Sequence, residues 1–270
     1  GNTLIAVLDP YDSVGILDAY FPDTAFFTQT EQFEEFIQKE PIDYLSVCSP
    51  NHLHAKHIEI GLKSGADVIC EKPLVLHSKE LNQLEQLEHQ TGKRVYTLLQ
   101  LRYHDTIIAL KEQYKTSNKK HQISLKYITS RGPWYYESWK GDHKKSGGPT
   151  CNIGIHFFDM LIWIFGSVQR ASLSMREQNK MVGSIELERA SVEWFLSLDR
   201  GDLPKEKVKA GERAYREIQI DGNEIEFSGG FTDLHTKVYQ ETLKGDGFGI
   251  ADARPALELA ESFRNMPITS

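Results

Sequence analysis

The chain has 270 residues, 31 Lys+Arg against 38 Asp+Glu and a formal charge of −7, with 40% hydrophobic and 26% charged residues. This composition excludes global disorder, and a chain this long is expected to divide into two domains of roughly 100–200 residues each. The mildly acidic balance argues against binding nucleic acid or an anionic membrane through bulk charge, and no apolar run reaches the roughly 20 residues of a membrane span.

The N-terminus, Gly1-Asn2-Thr3, carries no basic region of a signal peptide. It leads into Leu4 to Leu8, an apolar run ending at Asp9-Pro10 that reads as a buried strand and a turn. Phe33 to Lys39 has helical spacing. Ile42 to Cys48 is a second buried strand, stopped by Ser49-Pro50-Asn51, and His52 to Ser64 is a helix ending before Gly65. Asp67 to Cys70 is a third strand, followed by Glu71-Lys72-Pro73. Ser78 is expected to cap a helix to about His89, and Arg94 to Leu99 is a fourth strand. Short apolar strands alternating with helices predict a parallel, doubly wound sheet, in which ligands bind beyond the carboxyl ends of the strands.

The pattern changes near residue 101, and the expected domains are 1–101 and 102–270. Gln122 to Arg131 is strand-like, residues 133–150 form a long aromatic and basic loop, and Asn152 to Phe165 is a strongly apolar helix. Phe157 to Phe165, the longest apolar stretch, is too short to span a membrane and contains Asp159. Gln169 to Ser174, Gly183 to Leu187, Ala190 to Leu198 and Ala214 to Ile220 predict an antiparallel or mixed sheet. Asp221-Gly222-Asn223 marks a hairpin turn, and Phe231 to Leu243 and Ala253 to Phe263 are helical. Cys48, Cys70 and Cys151 lack CxxC spacing and are expected as buried reduced thiols.

Lys72, at a strand's carboxyl end, is either an ordinary solvated lysine or an ammonium aimed into the ligand crevice, where it can orient a hydroxyl and stabilise charge developing on oxygen. Asn152 and His156 are i and i+4 on one helix face. His156 is either a satisfied core histidine or a proton acceptor near neutral pH. His52, His54 and His57 do not have a zinc spacing, so no metal site is expected. Lys140, Lys144 and Lys145 form either a solvated charge run or a clamp for an anionic substrate.

In order, the Ser49-Pro50-Asn51…His54 loop, Glu71-Lys72-Pro73 and Gly154…His156…Asp159 resemble the glucose–fructose oxidoreductase and inositol dehydrogenase (Gfo/Idh/MocA) family. The segments 127–132, 138–142, 152–154 and 230–236 are similar to one branch of it, the UDP-N-acetylglucosaminuronate 3-dehydrogenases of the WlbA/WbpB type. The resemblance implies a Rossmann-like first domain that binds NAD, with Asp9 on the adenosine ribose. Ser49, Asn51, His54, Gln100 and Trp139 would line the cofactor, and Glu71 and Lys72 would approach the nicotinamide ribose. It implies an α+β second domain with an open, mainly antiparallel sheet and a tetrameric assembly. His156 would be the base for the C3′ hydroxyl and Lys72 its orienting group, with Arg102, Trp139, Lys140 and Asn152 contacting the UDP-sugar uronate. It further implies 2-oxoglutarate as a hydride acceptor and a cytoplasmic role in bacterial surface polysaccharide (lipopolysaccharide O-antigen) synthesis.

Two departures stand out. Many relatives carry Asp where this chain has Asn152, so the base rests on His156 alone. The family also opens with a strand and a glycine-rich turn that cradles pyrophosphate, whereas here the first strand already ends in Asp9; the expectation is a chain that starts at the family's second strand. The competing readings are a dehydrogenase of another sugar or cyclitol, and a sensor that keeps the fold without turnover.

Overall fold

A computed structural model describes residues 2–12, 14–225 and 233–269, the side chain of residue 18 excepted. The chain opens with β1 (Ala6–Leu8), α1 (Gly15–Tyr20), β2 (Ala25–Phe27), α2 (Thr30–Lys39) and β3 (Tyr44–Val47). A 3₁₀ turn over Asn51–Leu53 leads into α3 (His54–Lys63), β4 (Asp67–Cys70), α4 (Ser78–Thr91) and β5 (Val95–Thr97). β1 pairs with β2, and β3, β4 and β5 pair in that order, all in parallel. Among the described residues no ladder joins the two groups.

Parallel pairing follows from the connections, since a helix must carry the chain back before the next strand can start. β4 is apolar in consecutive positions because both its faces are covered. Val68 and Cys70 share a core with Ile58 and Leu62 of α3 and Leu81 and Leu84 of α4. Ile69 points the other way, into a cluster with Tyr96, Leu98 and Val238. The N-terminus of α4 differs from expectation. His77 is the capping residue, its N–H donating to Glu80 at 2.9 Å, while Ser78 lies inside the helix and gives its own N–H to Glu261 at 2.8 Å.

A 3₁₀ turn over Gln100–Tyr103 and α5 (Asp105–Tyr114) lead to β6 (His121–Thr129), followed by α6 (Pro133–Glu137), α7 (His143–Ser146) and a π-helical turn over Thr150–Gly154. The turn runs without a break into α8 (Ile155–Phe165). Then come β7 (Val168–Arg176), β8 (Lys180–Leu187), β9 (Ala190–Ser197), α9 (Lys205–Lys209), β10 (Ala214–Ile220), β11 (Asn223–Glu224), α10 (Leu234–Leu243) and α11 (Ile250–Asn265). The six strands form one open sheet in the order β11-β10-β6-β9-β8-β7, antiparallel except for β6 against β9. Asp221 and Gly222, both at positive φ, make the tight turn between β10 and β11. The expected helix from Phe231 begins in part outside the described residues; within them α10 starts at Leu234.

One face of this sheet is apolar by strict alternation: Met181, Ile185 and Leu187 of β8 point inward, as do Val192, Trp194 and Leu196 of β9. α8 and α11 cover it, with Trp194 edge-on to Phe158 and Phe263 at ring distances of 5.4 and 4.7 Å. α11 also reaches the first half. Ile250, Ala253 and Leu257 enter the core around β4, while Ala256, Leu259, Ala260 and Phe263 enter the core under the large sheet. The cysteines are free; Cys70 and Cys151 are buried, but Cys48 is exposed at the strand end rather than buried. No described helix is long and apolar enough to cross a membrane.

Candidate active site

The loops after β3 and β4 meet the π-helical turn. Lys72 follows β4 directly, and the Lys72–Pro73 peptide is cis. Its Nζ donates to the backbone carbonyl of Asn152 at 2.8 Å, 80 residues away in sequence. Burial lowers its pKa to about 8, against the opposing pull of Glu71. Lys72 therefore lies at the junction of the two halves, and the solvated-loop alternative is set aside.

Asn152 is the hub of this junction. Its amide donates to the Tyr135 hydroxyl at 2.6 Å and to the Lys140 carbonyl at 3.2 Å, and its oxygen faces the Asn51 amide at 3.5 Å. Because residues 150–154 are π-helical, the ideal α-helical i, i+4 pairing of Asn152 with His156 does not apply. Asn152 turns toward the aromatic loop. His156 opens the α-helix beyond the π-turn and is partly buried. Burial first, then the positive charge of Lys72, His235 and Arg216, pushes its pKa well below the ordinary histidine range. The imidazole is thus neutral at physiological pH and able to accept a proton.

The approach of the aromatic loop requires glycine at two points. A Cβ on Gly141 would lie 2.5 Å from the Tyr136 backbone, and one on Gly147, at φ +79°, would meet the Cys151 sulfur at 2.5 Å. These close contacts bring Tyr135, Lys140 and the π-turn together.

Several expected contacts have other occupations. Arg102, expected at the substrate, is buried. Its guanidinium binds Asp159 through Nε and Nη2 at 3.1 and 2.7 Å and Asp252 through Nη1 at 3.1 Å, so it is a structural ion-pair centre and has no fork left for a ligand. His54, expected to line the cofactor, is 1% exposed, and both ring nitrogens lie 2.8 Å from carbonyls, those of Pro73 and Ser49. It ties the two strand-end loops together. Burial outweighs those two carbonyls and lowers its pKa. Asn51 is also buried and donates to the Ser146 carbonyl at 2.8 Å. The Ser49 hydroxyl pairs with His57 Nδ1 at 2.8 Å. Among the described residues no three His, Cys, Asp or Glu side chains converge on a metal position.

Asp9 stands at the carboxyl end of β1, where its Oδ1 accepts the Tyr11 N–H at 2.9 Å. Glu71 at the end of β4 accepts the Lys72 N–H at 3.2 Å. Carboxylates at the ends of parallel strands suit the hydroxyls of a dinucleotide's riboses, so these positions fit NAD. Gln100 starts the turn after β5, partly buried, and Trp139 is partly buried with the Lys140 ammonium 5.6 Å from its ring. Lys144 and Lys145 lie exposed on α7.

Three residues with no role assigned from sequence belong to this cluster. Tyr135 is buried and receives the Asn152 amide. Arg131 has its guanidinium 5.9 Å from the Tyr135 ring centre. His235 of α10 places Nε2 3.3 Å from a Glu71 oxygen. Each sits in a segment that the sequence singled out, but no spacing rule connects them to Lys72.

Fold and site together define a chain of the NAD-binding Rossmann type. Residues 4–98 match the family described as "Oxidoreductase family, NAD-binding Rossmann fold", and residues 119–203 match its "C-terminal alpha/beta domain". The chain belongs to the Gfo/Idh/MocA oxidoreductase family. It is 46% identical to the WlbA (WbpB) dehydrogenase from Thermus thermophilus, with a TM-score of 0.95 over 99% of this chain and 88% of that one. That protein has been solved with NAD and UDP-GlcNAcA, and with NAD and alpha-ketoglutarate. Among curated relatives, D-glucoside 3-dehydrogenase of Escherichia coli (strain K12) is 25% identical over 46% of this chain and 36% of its own length. The Bacillus subtilis (strain 168) scyllo-inositol 2-dehydrogenase (NADP(+)) IolW is 20% identical over 82% and 65%. The chain thus spans less than two thirds of the length of either curated relative.

Proposed function

We propose that this chain is an NAD-dependent cytoplasmic dehydrogenase that oxidises the C3′ hydroxyl of UDP-N-acetylglucosaminuronate. The observation that carries the reading is the joining of Lys72 to the Asn152 turn, with a neutral His156 beside it, at the carboxyl end of β4. Bound at these strand ends, NAD⁺ would supply the hydride acceptor for C3′. The chain's own residues handle the proton and the charge. His156 accepts the hydroxyl proton. Lys72 holds the same oxygen and stabilises the negative charge that develops as the proton leaves. Asn152 keeps Lys72 in place, and Asp9 and Glu71 hold the ribose hydroxyls.

Similarity to the Thermus thermophilus protein supports the choice of sugar nucleotide, and its complex with alpha-ketoglutarate supports return of the hydride to 2-oxoglutarate. The 3-keto product would pass to an aminotransferase of surface-polysaccharide synthesis. The open face of the six-stranded sheet exposes Met175 and partly exposes Val182 and Phe195, which supports assembly into a tetramer. The test is NADH formation by NAD-loaded protein on UDP-N-acetylglucosaminuronate, set against neutral UDP-sugars, free glucosides and inositols. Turnover of inositol in preference to the nucleotide sugar would overturn the substrate assignment.

A further inference from the structure

Among the described residues the guanidinium of Arg131, at the junction, has no acid partner. Its backbone is fixed, the N–H donating to the Leu198 carbonyl at 3.1 Å just beyond the end of β6. Its side chain is partly buried, and Nε is fully buried without a hydrogen-bond partner. Arg189 and Arg264 also carry a buried, unpartnered Nε, but each gives a terminal nitrogen to a carbonyl, of Ile164 and Leu76 respectively. Among the described residues the Arg131 side chain has neither an ion pair nor a hydrogen-bond acceptor. Its guanidinium lies 5.9 Å from the Tyr135 ring centre.

Such a group is costly unless something anionic completes it. Its position limits what that can be. Tyr135 accepts from Asn152, and Lys72 donates to Asn152, so Arg131 is two side chains from the ammonium that would hold the reacting oxygen. It is close enough for its charge to lower the Lys72 pKa further. An anion met here belongs to the reacting part of the ligand. A planar, two-oxygen group suits a guanidinium fork better than it suits the point charge of a lysine. Lys140, exposed beside Trp134 and Trp139, is better placed for a solvated diphosphate.

We infer that Arg131 is the specificity-determining residue of the site, recognising a carboxylate carried a short distance from the reacting carbon. Resting on the function proposed above, two ligands bring that chemistry: the uronate of the nucleotide sugar, whose carboxyl carbon is three bonds from C3′, and the 2-oxo acid that returns the hydride, whose distal carboxyl carbon is three bonds from its keto carbon. Both would use the same fork in turn, because each must place its reacting carbon at the same point.

The experiment compares binding of UDP-N-acetylglucosaminuronate and UDP-N-acetylglucosamine to NAD-loaded protein by calorimetry, and 2-oxoglutarate-dependent reoxidation of NADH-loaded protein. The wild type is expected to prefer the uronate. Arg131→Gln is expected to reduce that preference by about ten- to a hundredfold and to raise KM for 2-oxoglutarate by a similar factor, with Arg131→Lys in between. A loss in one arm alone assigns Arg131 to that carboxylate. A wild type that binds both sugars equally, or a glutamine variant unchanged in both arms, overturns the inference while leaving the proposed function standing. If the wild type binds neither sugar nucleotide, it is the proposed function that fails. The wild-type comparison of the two sugars holds even if Arg131→Gln does not fold.

Discussion

Arg102 and the Lys72–Arg131 pair are buried or partly buried cations in one molecule, and they are treated in opposite ways. Arg102 is enclosed by two aspartates, with the Phe248 ring 4.6 Å from its guanidinium. Lys72 has a carbonyl for its ammonium and Arg131 has a tyrosine ring for its guanidinium; among the described residues neither forms an ion pair with a carboxylate. A cation whose acids come from the same chain is part of the framework. A cation buried without them is poised for a ligand, and for Lys72 the depressed pKa is the trace of that unmet need.

The comparison can be tested by removing groups on each side. On the site side, His156→Asn and Lys72→Met should each lower turnover by about 10²–10⁴-fold while NAD binding and the unfolding midpoint stay near wild type; a wild-type rate in steady-state assays removes that residue from the chemistry. On the framework side, Asp159→Ala should leave the Arg102 charge half-paired and cost about 3–5 kcal/mol by urea denaturation, with turnover per folded molecule little changed. Burial already raises the Asp159 pKa against the pull of Arg102, so this carboxylate takes up a proton more readily than an exposed one and depends on the arginine to stay charged.

Asn152→Leu lies between the two classes. It strips the bonds to Tyr135 and the Lys140 carbonyl but leaves the backbone acceptor of Lys72, so a stability loss of about 1–3 kcal/mol is expected together with a lower kcat. The smallest effect is the pH profile. With His156 deprotonated well below the ordinary histidine range and Lys72 titrating at about 8, kcat/KM should be level around neutrality and fall above pH 8 as the ammonium is lost. Lys72→Arg should move that alkaline limb upward in whatever activity remains; a wild-type profile flat through pH 9 removes the ammonium from the mechanism.

Legibility in the sequence followed locality. Lys72, Asn152 and His156 stood out because each sits in a short motif at the edge of an apolar run. The strands of the large sheet were readable because residues such as Met181, Ile185 and Leu187 alternate cleanly. The role of Arg102 was misread because its partners are 57 and 150 residues away, and nothing local distinguishes a paired arginine from a free one. β2, with three residues, is too short to display a period, and α5 buries only Ile107 and Leu110. The π-turn was invisible because Thr150–Gly154 has no residue type that excludes an α-helix. Arg131 lay in a segment noted for its resemblance, yet its lack of an acid is a property of three-dimensional surroundings.

The division of α11 between two cores has a mechanical consequence. One side of the helix is embedded beside β4 and the other beneath the large sheet, while Glu261 grips the start of α4 and Asp252 meets Arg102. A rod seated at both ends resists bending between them. Ligands should therefore enter and leave by local movement of the aromatic loop, without a hinge between halves. During synthesis, the first half also lacks part of its packing until α11 emerges, so its native rigidity arrives only once that helix has been made.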